Sequence, residues 1–127
     1  MINGDILLFF DRHPAALPLY EALAQAVAAQ TPDVRVKVQK TQIGFYNRHL
    51  FACVSFLPVR RAAQRPRDFI TVSFGLDAQK RSPRIDAAVQ VSPRRWTHHV
   101  LVASAEEIDP ELLAWIQEAS ALAAGKR

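Results

Sequence analysis

Apolar residues in the first third of the chain recur at helical spacing and then change to strict alternation. In PAALPLYEALAQAVAA, residues 14–29, Leu17, Tyr20, Leu23, Ala24 and Val27 share one side of a 3.6-residue helix, and Pro14 suits its first turn. Asp11 or His13 is expected to cap this helix, and Pro18 requires either a start close by or an irregular first turn. The apolar run before it, Asp5 to Phe10, fits a short helix on the same core, although its pattern alone does not separate helix from strand. After Thr31-Pro32-Asp33 the period becomes two: Val34, Val36 and Val38 alternate with Arg35, Lys37 and Gln39. The same reasoning predicts strands at about 34–39, 42–46, 50–56, 69–74, 85–91 and 97–104. Ser104 and Glu107 form a capping-box pattern, Asp109-Pro110-Glu111 opens a second helix, and that helix runs over about 110–123 to a stop near Gly125.

Helix, strands, helix is the order of an α+β domain. The expectation is an antiparallel sheet of five to six strands, with an N-terminal and a C-terminal helix packed on one face and a single domain over residues 1–127. The longest irregular piece is LPVRRAAQRPRD, residues 57–68.

The alternating phase singles out two polar residues. Lys40 takes the position of a fourth valine after Val34, Val36 and Val38, and His98 shares its phase with Val100 and Val102. If their strands are neighbours, the two meet at the rim of the helix-covered face, where a desolvated lysine and a histidine would share a carboxylate, a phosphate or another anion. The plainer reading lays the Lys40 stem over the core with its ammonium in water and makes His98 a satisfied core-edge histidine. His99 must point to the opposite face from His98.

Composition narrows the classes. The chain has 127 residues, half of them apolar, enough for one sizeable core. Its net charge of +4 permits a polyanionic partner without requiring one. Cys53 is the single cysteine and has no internal disulfide partner; set in FACVSF, it reads as a small buried hydrophobe. The opening residues lack a signal-peptide pattern and no apolar run reaches the roughly 20 residues of a membrane span, so a cytoplasmic protein without a membrane partner is expected. No His or Cys spacing matches a metal, haem or redox motif, no Gly-rich phosphate loop or nucleophile elbow occurs, and no cofactor is expected.

Charge is uneven along the chain. Residues 60–95 carry nine basic side chains against Asp68, Asp77 and Asp86, whereas residues 104–118 carry four glutamates and one aspartate with no base. In an up-and-down sheet the loops 57–68 and 92–96 share one end, which would gather Arg60, Arg61, Arg65, Arg67, Arg94 and Arg95 into one basic rim beside Trp96. Arginine pairs with phosphate in a fork and an indole stacks on bases, so such a rim suits single-stranded nucleic acid or an acidic protein; the plainer alternative is solvated surface with Trp96 packed inward.

LYEAL (19–23), KTQIGF (40–45), RHLFACV (48–54), RWTHHV (95–100) and ELLAWIQEA (111–119) resemble, in this order, the bacterial family called domain of unknown function 5655. The resemblance implies a small α+β domain with no established activity, and it puts the matching ligand-site candidates at Lys40, Arg48, Thr97 and His98. Three readings stand. The first is a non-enzymatic module binding a small anion or acidic group near Lys40 and His98. The second is a nucleic-acid accessory domain using the arginine rim. The third, an enzyme with Lys40 and His98 as acid and base, has the least behind it. An edge strand offers its free backbone groups to a second copy, which leaves homodimerisation open.

Overall fold

A computed structural model describes residues 3–126. A short helix α1 (Gly4–Phe9) is capped by Asn3, whose side chain accepts from the Ile6 amide, and it sends Ile6 into the core, followed by Phe10. A 3₁₀ turn (Pro14–Ala16) then leads into α2 (Leu17–Gln30), so the irregular start demanded by Pro18 is present, and neither Asp11 nor His13 caps the helix with its side chain. The strands are β1 (Arg35–Val38), β2 (Ile43–Tyr46), β3 (Leu50–Ser55), β4 (Ile70–Leu76), β5 (Ala87–Ser92) and β6 (Arg95–Val102). The closing helix α3 (Pro110–Ala124) starts on Asp109, which accepts from the Leu112 amide at 3.0 Å. The Ser104 and Glu107 capping box is formed one step earlier, on the 3₁₀ turn Ala105–Glu107.

All six strands join one sheet in the order β1-β2-β3-β4-β6-β5, and every neighbouring pair is antiparallel. Parity sorts the side chains. Phe45, Ala52, Phe74 and His98 form one cross-strand row toward the helices, and Ile43, Val54, Val72 and Val100 form the next. Tyr20 of α2 stacks over Phe45 and Trp115 of α3 over Phe74, so both long helices cover this face. Leu23, Val27, Leu112 and Ile116, at helical spacing, close the core without exposure, each contributing about 1.5–3 kcal/mol by burial. Burial also pushes the Tyr20 hydroxyl up to about 12.

The sheet departs from an up-and-down run at one place. After β4 the chain crosses past the position of β6, and β6 then returns from β5 by a tight hairpin to pair between β4 and β5. Leu76 at the end of β4 pairs with Trp96 at the start of β6, so the 93–94 turn lies at the opposite end of the sheet from residues 57–68. The single basic rim expected from Arg60, Arg61, Arg65, Arg67, Arg94 and Arg95 is therefore split in two. The uneven charge also has an internal use. Arg60 pairs with Asp86 at 2.7 Å; Arg84 reaches both oxygens of Asp109 at 2.8 Å and the Glu107 carbonyl at 2.7 Å; Lys80 lies 3.4 Å from Glu118. The basic crossover is thus fastened to the acidic start of α3. Asp109 has its pKa lowered, first by the Leu112 amide and then by the Arg84 guanidinium.

Candidate functional site

The open face of the sheet is built from the other parity. Lys37, Gly44, Cys53, Ser73, His99 and Ala87 form one row across all six strands. Ser73 Oγ and His99 Nδ1 are 2.6 Å apart, and the Cys53 thiol lies on the other side of Ser73 within reach of its hydroxyl. Burial pushes the Cys53 thiol up, only partly opposed by that hydroxyl, and burial lowers the His99 pKa below its ordinary 6.5. Both side chains are therefore uncharged near neutral pH. A neutral imidazole facing Ser73 through Nδ1 leaves Nε2 as a second hydrogen-bonding point.

Around this floor stands a cleft of about 1130 Å³. Its walls come from α1 and the residues after it, from the β1–β2 turn, and from Phe56 and Leu57 at the end of β3. The folding logic is local: Phe9 stacks on Phe56 at 5.3 Å and His13 on Phe56 at 4.1 Å, which pins α1 and the following segment at the sheet's end. The lining is largely apolar, and three leucines in it remain open to solvent: Leu8 at 73 %, Leu57 at 46 % and Leu50 at 40 % exposure. Lys40 and Arg12 line the cleft together with Asp5 and Asp11; among the described residues none of the four joins an ion pair.

The family model for a domain of unknown function, DUF5655, matches residues 8–123. The chain belongs to the DUF5655 family. No curated protein and no solved structure matches it.

In this DUF5655 domain the four ligand-site candidates are dispersed. Lys40 is exposed on the β1–β2 turn and Thr97 projects from β6; both line the cleft. His98 does not. It is fully buried on the helix-covered face, flat against Phe74 at 5.3 Å, and its Nε2 accepts from the Lys80 amide at 2.9 Å. Strands β2, β3 and β4 separate β1 from β6, so the condition for a Lys40 and His98 pair is not met and the acid and base pair built on it does not form. Arg48 is exposed in the β2–β3 turn, at the other end of the sheet from Lys40. The residue that shares the cleft with Lys40 is His99, along with Ser73, Cys53 and Ser55. Their signal is in the sequence: Cys53 and Ser55, Thr71 and Ser73, Thr97 and His99 occupy the polar phase of three strands that turn out to be adjacent.

Of the arginines, Arg60 is engaged by Asp86, which also accepts from the Leu101 amide at 2.7 Å. Arg61, Arg65 and Arg67 make no ion pair among the described residues. Among the described residues no group of three or more His, Cys, Asp or Glu side chains is placed to hold a metal ion, and no helix is long and apolar enough to cross a membrane.

Proposed function

We propose that this DUF5655 domain is a binding module without catalytic chemistry, whose open-face cleft takes a small molecule with an apolar body and an acidic group. The observation that carries this is the exposure of Leu8, Leu50 and Leu57 over a floor of hydrogen-bonding side chains. A ligand's apolar body would bury those leucines, at about 25 cal/mol per Å² covered, while Ser73, His99 and Thr97 fix its orientation. Lys40 supplies the charge for the acidic group, with Arg12 as a second cation in the lining. Binding is favoured over catalysis for three reasons. The Cys53 thiol is held protonated. No carboxylate among the described residues hydrogen-bonds His99. Ser73 sits in an interior strand whose backbone amides serve the ladder, which leaves no oxyanion cradle beside it.

Thermal unfolding with 4-phenylbutyrate, its primary amide and 4-phenylbutylamine tests the reading. The carboxylate should raise Tm more than the amide does, and Lys40→Ala should remove that difference while leaving the apolar contribution. Equal shifts from carboxylate and amide would sink the acidic-group assignment. A larger shift from the amine would hand recognition to Asp5 and Asp11. No shift from any of the three would remove the cleft as a small-molecule site.

A further inference from the structure

A second cavity, separate from the cleft except for Thr97, opens where the β4 and β6 ends meet the C-terminus of α3. Its volume is about 300 Å³, the lower end of what small-molecule sites occupy. Trp96 and Leu76, cross-strand partners, form its apolar wall with Leu122 of α3. Arg94, Arg95 and Lys126 also line it, and among the described residues none of the three makes an ion pair. Against them stand Asp77 and the negative end of the α3 dipole, worth about half a charge, so the cavity keeps a net positive charge of about 1.5.

We infer that this cavity binds a nucleotide unit, with the planar base against Trp96 and the phosphate held by Arg94 and Arg95. The chemistry is specific in its parts. An indole is the best aromatic platform for a base, and each guanidinium offers a fork that matches phosphate oxygens. The half-buried indole stands on a backbone paired on both sides, to Leu76 and to Gln90, so its platform is fixed by the ladder before a base arrives. The pairing of Arg94 and Arg95 with Trp96 survives the splitting of the expected basic rim, because all three lie in one hairpin. Lys126 joins them from just past the C-cap of α3, a contribution that the strand pattern does not reveal.

The test is titration of the full chain with AMP, adenosine and inorganic phosphate at low salt, read by tryptophan fluorescence and calorimetry. Trp115 is buried against Phe74, so quenching by added base reports Trp96. AMP should quench saturably, at least about tenfold more tightly than adenosine or phosphate alone, and the affinity should fall as salt rises. The double variant Arg94→Ala with Arg95→Ala should weaken AMP by about tenfold or more without lowering the thermal midpoint, and Lys40→Ala should leave it unchanged. A 5′-phosphorylated oligo(dA) binding more tightly than AMP would make a single strand the source of the nucleotide; equal affinity would make it a free nucleotide. Adenosine binding as well as AMP, an unchanged affinity in the double arginine variant, or no binding at low salt would each overturn the inference. Because Lys40 takes no part, failure here leaves the cleft reading standing.

Discussion

His98 and His99 are adjacent in the chain and occupy different media. His98 faces the helices, lies parallel to the Phe74 ring within 7°, and uses Nε2 to hold the Lys80 amide of the crossover. With Nε2 accepting, the proton belongs on Nδ1, and Nδ1 is buried without completing a hydrogen bond. Burial lowers the His98 pKa, offset in part by the backbone carbonyls of Phe74 and Trp96, with His99 and Lys80 adding smaller downward pushes. His99 faces the open side, bonded to Ser73 on the floor of the cleft. One histidine therefore fastens a loop and its neighbour furnishes a site. Strand parity alone assigns the two roles, since the residue type is the same and the positions differ by one.

The largest expected effect tests the covered face. Phe74→Ala removes the ring that supports both His98 and Trp115, and should cost about 3–5 kcal/mol in urea unfolding. On the open face, Ser73→Ala deletes the hydrogen bond to His99 on the floor of the cleft and should cost about 1 kcal/mol. Comparable losses from the two would erase the distinction between the faces.

The pH dependence sharpens the same contrast. Both histidines have folded pKa values below the ordinary 6.5, so below that pH the unfolded chain binds more protons. Their stabilisation is complete above about 6.5 and is lost as pH falls from there through the folded values. His98→Gln should flatten the acid limb of the stability curve, and amide exchange at Lys80 should rise in wild type as His98 takes up its proton. An acid limb unchanged in His98→Gln would show that the burial of this ring is not what couples stability to pH.

An effect no larger than that of Ser73→Ala is expected at Gly44, where the side chains of Tyr46 and Leu50 cover the open face. A Cβ there would meet Tyr46 Cε1 at 2.7 Å and Leu50 Cδ1 at 2.9 Å, so both side chains must shift to admit it, and neither contact is to backbone. Gly44→Ala should cost about 1 kcal/mol, the low end for overpacking, by the same urea measurement. A loss as large as that of Phe74→Ala would mean that this face is as tightly packed as the other.

The elements of the fold were legible because period and punctuation agree: Tyr20, Leu23 and Val27 at helical spacing, Asp109-Pro110 before α3, and alternation in every strand from β1 to β6. What stayed hidden is lateral order. Residues 77–86 look like an ordinary loop, and nothing in their composition says that β5 goes to the edge and β6 goes inside. That one exchange dispersed the arginines. The candidate site was half legible. Lys40 and Thr97 do reach the cleft, but His98 lies in the apolar phase of its strand, whereas a floor made of Ser73 and His99 belongs to the polar phase. The contribution of α1 to the cleft was beyond a periodicity argument, because Leu8 is exposed on a helix too short to show a stripe.

The insertion of β6 bears on how the protein is made. While a ribosome delivers the chain N-terminus first, β4 has β3 on one side and nothing on the other until residues 95–102 emerge. Its waiting sequence, ITVSFGL, is uncharged, rich in β-formers and free of proline, the composition that templates cross-strand association between nascent or truncated chains. Any product ending before β6 would carry that bare edge permanently, so for this domain premature termination is a route to aggregates rather than to a smaller soluble fragment.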